Sequence, residues 1–227
     1  MARTRNPEVH AVRREAFVDV AQRLVTTNGY ERVSIQDVLD GAETSRGAFY
    51  HYFDGKAALL DAVIERMVEQ AWAMLDEIVA DPDATAVQKV SGVFAGLAAF
   101  KAERRELVLQ IIEVWLSDDN AIVREKFRRA TIGRMSPMLT TIIRQGVEEG
   151  SFDAQDPDAL AAVLAALMMG ANEAATVLFA ARQAGTVGLA DVERRLGAFG
   201  DAFARLLGMP GNSLALADPA VIRQWYG

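Results

Sequence analysis

The sequence predicts an all-α protein, with short helices at the N-terminus, a long fourth helix, and a larger helical body after it. Three observations predict this. Apolar residues recur at steps of three to five along nearly the whole chain. No stretch keeps the apolar-polar alternation of a half-buried strand for long. The breaks between periodic stretches fall at Gly, Pro, Asp and Asn, residues that end or cap helices.

The elements follow in order. After a cap at Asn6 and Pro7 in the first turn, Val12, Ala16, Phe17, Val20, Ala21, Leu24 and Val25 form one apolar stripe, and Asn28-Gly29-Tyr30 ends the helix. Ser34 caps a short second helix with Ile35, Val38, Leu39 and Ala42 inward. Thr44 or Ser45 opens a third, predicted to run to Phe53, where "FDGK" breaks it. Asp54 can cap a long fourth helix carrying Leu59, Leu60, Val63, Ile64, Met67, Val68, Trp72 and Leu75, and "ADPDAT" around Pro82 is the next break. Further helices are predicted over Ala84–Ala102, Glu106–Leu116 and Ala121–Glu149, the last interrupted at Pro137. An Ala-rich helix over Pro157–Ala181, another over Leu189–Leu207, and a short one from Asp218-Pro219 to Trp225 and Tyr226 complete the chain.

Composition narrows the function classes. The 227 residues are 51% hydrophobic, enough to bury a substantial core. There is no Cys, which excludes disulfides, zinc-thiolate sites and a Cys nucleophile and fits reducing, cytoplasmic surroundings. The basic N-terminus is not followed by an apolar segment, so it does not read as a signal peptide. The longest apolar run, Ala159 to Ala171, is short for a membrane span, so no membrane partner is expected. The formal net charge of −7 argues against a nucleic-acid partner until its distribution is considered. Up to Arg14 the cations Arg3, Arg5, Arg13 and Arg14 face only Glu8, up to Lys56 the charges cancel, and the whole deficit lies beyond residue 56. That asymmetry suits a small nucleic-acid module on an acidic body.

The second and third helices carry the chemistry. Ser34 to Ala42, the turn Glu43-Thr44, and Ser45 to Phe53 match the layout by which a helix-turn-helix sets a recognition helix in the DNA major groove. Phe49 and Phe53, four apart, face the first two helices, and Gly47 and Ala48 let the backbone approach a groove. Ser45, Arg46, Tyr50, His51, Tyr52 and Lys56 supply hydrogen-bond donors for phosphate oxygens and base edges. Backbone N–H groups at Gly55 and Lys56, at the start of the fourth helix, favour a phosphate.

The stretch Arg23 to Glu65 resembles the DNA-binding domain of TetR-family transcriptional regulators. Gly29, Ser34, Ser45, Gly47, Phe49, Tyr50, Phe53, Lys56 and Leu59 match that family's pattern in order and spacing. The chain departs from it in the turn, where Glu43 and Thr44 stand in place of the usual Gly and Val. A turn residue there with positive φ would cost a Glu about 1 kcal/mol relative to Gly. The resemblance implies a DNA-binding domain over residues 1–56 and a ligand-binding and dimerisation domain over 57–227. It implies that Ser34, Gln36, Thr44, Ser45, Arg46, Gly47, Ala48, Tyr50, His51, Tyr52 and Lys56 form the DNA-binding set, with the N-terminal arginines as a non-specifically attractive arm. It also implies a double-stranded DNA operator, an unknown small-molecule effector and no cofactor.

The second domain has its own signals. Apolar residues cover nearly every face of the 157–181 helix, and Leu196, Phe199, Phe203 and Leu206 form a stripe on the 189–207 helix. These two helices are the expected homodimer contact, which supplies the symmetry a palindromic operator requires. Phe94, Leu97, Phe100, Ile111, Trp115, Met135, Met138 and Met168 are candidate walls of a ligand pocket, and Gln110 and Glu113 read as surface residues amid apolar ones. Neither His10 nor His51 has neighbours in sequence that suggest metal binding or catalysis, and no catalytic motif is present, so an enzyme is not expected. The alternative reading is a helical ligand-binding or protein-interaction module that does not bind DNA.

Overall fold

The computed structural model describes residues 7–115, 121–210, 214 and 219–227, and the side chains of these except 7–9, 113–115 and 121–123. The described residues form ten helices and no strand: α1 (Pro7–Asn28), α2 (Ile35–Gly41), α3 (Arg46–Phe49), α4 (Lys56–Ala80), α5 (Ala86–Glu103), α6 (Arg105–Trp115), α7 (Ala121–Glu148), α8 (Pro157–Gln183), α9 (Leu189–Leu206) and α10 (Pro219–Tyr226). Two compact units result, one of residues 1–72 with 104–116, the other of residues 73–103 with 117–227. The cap proposed at Asn6 and the arginines Arg3 and Arg5 lie outside the described residues.

The first unit is built on α1. Phe17, Val18, Ala21 and Val25 on α1 are buried with Val38 and Leu39 of α2, Phe49 of α3, Phe53 between α3 and α4, Leu59 and Val63 of α4, and Leu107 and Ile111 of α6. Phe49 is fully buried and meets Phe17 edge-on with ring centroids 5.6 Å apart. Arg66 ties α4 to α1 from outside: its guanidinium donates to the Asp19 and Glu15 carboxylates, the Gln22 side chain and the Val18 carbonyl. Gly41 sits where a Cβ would lie 2.7 Å from Val20 Cγ1, so close packing of α2 on α1 demands glycine there.

Two elements differ from the sequence reading. The third helix ends at Phe49, and Tyr50–Tyr52 continue it as tighter turns, with His51 N–H bonded to the Ala48 carbonyl and Tyr52 N–H to that of Phe49. The seventh runs unbroken through Pro137. There a proline forfeits one backbone hydrogen bond, while α7 packs along α5 and α8 and its Met135, Met138, Leu139, Ile142 and Ile143 are buried. Tertiary burial on both sides of the proline outweighs that loss.

In the second unit Asp156 caps α8 by accepting from Ala159 N–H, and α8 packs along α7 and α9. By length and composition α8 could cross a membrane. The short α10 docks on the α8–α9 pair through Ile222 and Tyr226, which join Leu178, Val192 and Leu196 in a buried cluster. The Tyr226 hydroxyl donates to the Ala175 carbonyl at 2.9 Å, and Arg182 Nε donates to the Tyr226 carbonyl at 2.8 Å.

Candidate nucleic-acid interface

Both short helices of the motif are pinned at their N-termini. Ser34 forms a reciprocal cap, its hydroxyl accepting from Asp37 N–H while the Asp37 carboxylate accepts from Ser34 N–H. These bonds to the ionised form hold the Asp37 carboxyl below its ordinary pKa. Ser45 caps α3 by accepting from Ala48 N–H at 3.3 Å. Both serine hydroxyls therefore have structural partners already, and Ser34 Oγ also donates to Asp37.

The turn between them is a Schellman cap. Thr44 N–H bonds back to the Leu39 carbonyl and Glu43 N–H to that of Asp40, which requires a left-handed residue at Glu43, and its φ is 49°. The caps at Gly185 and Gly208 have the same bonding with glycine in that position, and Glu43 alone among the described non-glycine residues has positive φ. The departure noted in the sequence is thus absorbed as local strain with the turn geometry intact.

On α3, Phe49 points into the core while Arg46, Gly47 and Tyr50 are exposed. The Arg46 guanidinium lies over the Tyr50 ring, 5.9 Å from its centroid, which pre-orders both side chains on the outer face. A Cβ at Gly47 would meet nothing within 4 Å, so the backbone there is open to a groove. Gln36, also exposed, is tied along α2 to Asp40 at 2.8 Å. Thr44 and Ala48 are half-buried and His51 is exposed. Tyr52 faces inward: its ring lies 4.5 Å from His10 and 5.7 Å from Phe17. His10 and His51, the two histidines of the chain, are 5.7 Å apart, and among the described residues no group of three His, Cys, Asp or Glu could hold a metal.

Lys56 is positioned by contacts that sequence spacing does not reveal. Its Nζ donates to the Glu31 carbonyl at 3.3 Å and sits 4.2 Å from the Tyr30 ring centroid. The same turn is held from α6, where Gln110 Oε1 accepts from Tyr30 N–H at 3.1 Å. Gly29 has φ 84° and approaches Gln110 so closely that a Cβ would lie 3.0 Å from Oε1. Gln110 is therefore half-buried and structural, in place of the surface role its neighbours suggested. The signal was an isolated amide in an apolar stretch; its partner lies 80 positions away.

The candidate pocket residues divide between the units. Phe94, Phe100, Met135, Met138 and Met168 are buried, and Leu97 half-buried, in the second unit, where Phe94 meets Phe203 edge-on at 5.0 Å. Ile111 belongs to the core of the first unit, because it and Leu107, four residues apart on α6, pack with the α1 cluster. The Trp115 side chain lies outside the described residues.

A capped helix pair with an open, cation-bearing outer helix defines a helix-turn-helix protein. Residues 17–63 match the family described as "Bacterial regulatory proteins, tetR family". The HTH-type transcriptional repressor KstR2 of Rhodococcus jostii (strain RHA1) is 25% identical over 150 residues, covering 62% of this chain and 68% of the relative. The HTH-type transcriptional regulator EthR of Mycolicibacterium smegmatis is 28% identical over 145 residues, covering 56% of this chain and 66% of the relative. Among solved structures, a TetR transcription regulator from Haloarcula marismortui has the same fold, with a TM-score of 0.61 and 20% identity over 87% of this chain and 97% of the other. Residues 17–63 thus carry a DNA-binding domain of the tetR family of bacterial regulatory proteins, and the chain as a whole is similar to DNA-binding transcriptional regulators.

Proposed function

We propose that this protein is a cytoplasmic, homodimeric repressor that binds a pseudo-palindromic operator and releases it when a small molecule binds the second unit. The observation that carries the reading is the outer face of α3, where Arg46, Gly47 and Tyr50 are exposed beside a capped, rigid turn. Within it, Arg46 reads base edges, while Tyr50, His51 and Lys56 contact phosphates. Ser34, Gln36, Thr44, Ser45, Gly47, Ala48 and Tyr52 complete the interface through backbone approach or by fixing its shape. KstR2, a relative, is named as a repressor, which supports that sign of regulation.

Dimerisation is proposed through the helices 157–181 and 189–207. Val163 and Val177 on α8 are each more than half exposed, and Leu206 on α9 is 40% exposed, a display of apolar surface that a second copy would cover. Two-fold symmetry then sets two recognition helices about 34–36 Å apart, one helical turn of DNA. A ligand releases the operator only by binding better to a conformation with a different spacing. The test is a gel shift of the purified protein on DNA from upstream of its own gene. Retention at low salt, lost on adding the effector, is expected; no retention at low salt, where phosphate attraction is greatest, would refute operator binding.

A further inference from the structure

The chain has two histidines, and folding brings them together in the first unit. His10 lies near the start of α1 and His51 just past α3, next to the exposed Tyr50. Their ring centroids are 5.7 Å apart with the planes at 78°, and Tyr52 completes a triangle, 4.5 Å from His10 and 5.2 Å from His51. Tyr52 in turn packs on the buried Phe17, so one ring ties both imidazoles to the core. His51 is exposed and His10 half-buried, and both therefore border solvent.

Neither ring has a hydrogen-bond or ion-pair partner among the described residues. On α1, Arg13 is exposed one turn beyond His10, and Arg14 beside it lies over the Phe53 ring. The carboxylates on this side of α1 and α4 are already taken: Glu15 and Glu65 pair with Arg14 at 3.5 and 3.7 Å, and Glu15 and Asp19 pair with Arg66. From α3 comes the exposed Arg46, and from the segment after it the Tyr52 hydroxyl and the exposed Asp54, which forms no ion pair with either ring; the Glu8 side chain lies outside the described residues. Two unpartnered imidazoles beside free and paired arginines are surroundings that draw an anion. A neutral imidazole offers one N–H, whereas an imidazolium offers two and a charge. A phosphate oxygen therefore binds the protonated ring better, and by reciprocity phosphate binding draws protons in. Hydrogen bonds of about 2.8 Å from two rings this close converge on one phosphate group.

We propose that His10 and His51 jointly grip one backbone phosphate of DNA and that the grip takes up protons, so that DNA affinity rises as pH falls. The proposal rests on the DNA-binding reading above and adds His10 to that interface. Imidazole is the side chain whose charge changes between about pH 5 and about pH 8. The chain has no Cys and no third histidine, so these two rings are its whole stock of imidazoles and thiols. Above that range the rings meet a phosphate as neutral donors; below it they meet it as cations, which fixes the sign of the dependence. In the proposed dimer each subunit carries one such pair, and about one proton taken up per dimer corresponds to about tenfold in affinity per pH unit.

The experiment follows the fluorescence anisotropy of a labelled random-sequence duplex with the full chain, at low and constant ionic strength, from about pH 6 to about pH 8. Phosphate contacts do not depend on sequence, so this probe suffices. Wild-type affinity is expected to rise about tenfold or more as pH falls across the range. The gradient should be mostly lost in His10→Gln and in His51→Gln and absent in the double variant. In the wild-type chain, the ring signals of the two histidines seen by NMR should both move towards the imidazolium position when duplex is added at about pH 7. A flat wild-type profile, a gradient that survives in the double variant or that His10→Gln leaves whole, or a His10 signal unmoved by duplex would each overturn the proposal while DNA binding itself persists. Absence of binding at every pH would instead refute the DNA-binding reading, and this proposal with it.

Discussion

Replacing Lys56 by Met separates its bracing contacts with Tyr30 and Glu31 from the phosphate contact proposed for the same side chain. The stem is kept and the ammonium removed, so packing along Tyr30 survives while the hydrogen bond to the Glu31 carbonyl and the contact with the Tyr30 ring are lost. An exposed or half-exposed cation–π contact is worth about 0.5–1 kcal/mol, and a hydrogen bond from a charged donor about 1.5 kcal/mol or more before solvent competition is counted. The melting temperature should therefore fall by a few degrees, with the helical signal unchanged.

The DNA-binding consequence has a different signature. One of the three ammonium donors is used on Glu31, leaving two for a phosphate. A dimer carries two copies of Lys56, and each phosphate contact contributes about 0.9 to the slope of log affinity against log salt, so the variant's slope should be shallower by about 1.8. Over a fourfold rise in salt, from about 50 to about 200 mM, the wild-type advantage should shrink by about 12-fold, the power of four that this slope difference dictates. Fluorescence anisotropy with an operator duplex across that range measures it. Parallel salt plots, with a constant affinity loss, would refute the phosphate role and leave Lys56 as a brace for the Tyr30 turn.

Other substitutions test the scaffold. Glu43→Gly removes the left-handed strain and should stabilise the protein by up to about 1 kcal/mol in urea denaturation, since glycine also gains freedom in the unfolded chain; unchanged or lower stability would contradict the strain. Gly41→Ala places a methyl 2.7 Å from Val20 Cγ1 and should cost about 1–3 kcal/mol by overpacking α2 on α1, read from the same denaturation curves. Tyr226, whose phenol burial pushes up to about 12 from an ordinary 10.0, supports α10 fully below pH 10 and loses that support as pH rises towards 12. The difference corresponds to about 3 kcal/mol at most, so Tyr226→Phe should flatten the alkaline fall in stability, and an identical pH profile would disprove the role.

How much of this was legible in the sequence depended on how local the cause was. Helix starts were readable at Ser34 and, as one of two candidates, at Ser45, because a cap is a contact between residues three apart. The unusual φ at Glu43 was readable for the same reason. Pro137 misled because the local cost of a proline is visible in sequence, while the burial of Met138, Ile142 and Ile143 that outweighs it is a property of neighbouring helices. Tyr52, read as a hydrogen-bond donor for DNA, also packs its ring against His10 and Phe17 of α1, a contact that local spacing does not reveal.

The turn Gly29–Arg32 draws these long-range contacts into one argument. It leads through the buried Val33 to the Ser34 cap that orients α2, and of its own side chains only Tyr30 packs against the core. It is held by polar ties from two sides, Gln110 of α6 on the Tyr30 amide and Lys56 of α4 on the Glu31 carbonyl, with the Tyr30 ring beneath the ammonium. Each tie satisfies a backbone group that would cost about 1–3 kcal/mol if buried without a partner. Because both tied atoms belong to adjacent residues, a shift of either helix that breaks its tie also misaligns the other. The turn that leads into α2 is therefore tied to both α4 and α6, while α2 itself packs on α1. A single apolar contact, which tolerates sliding, could not couple them so closely.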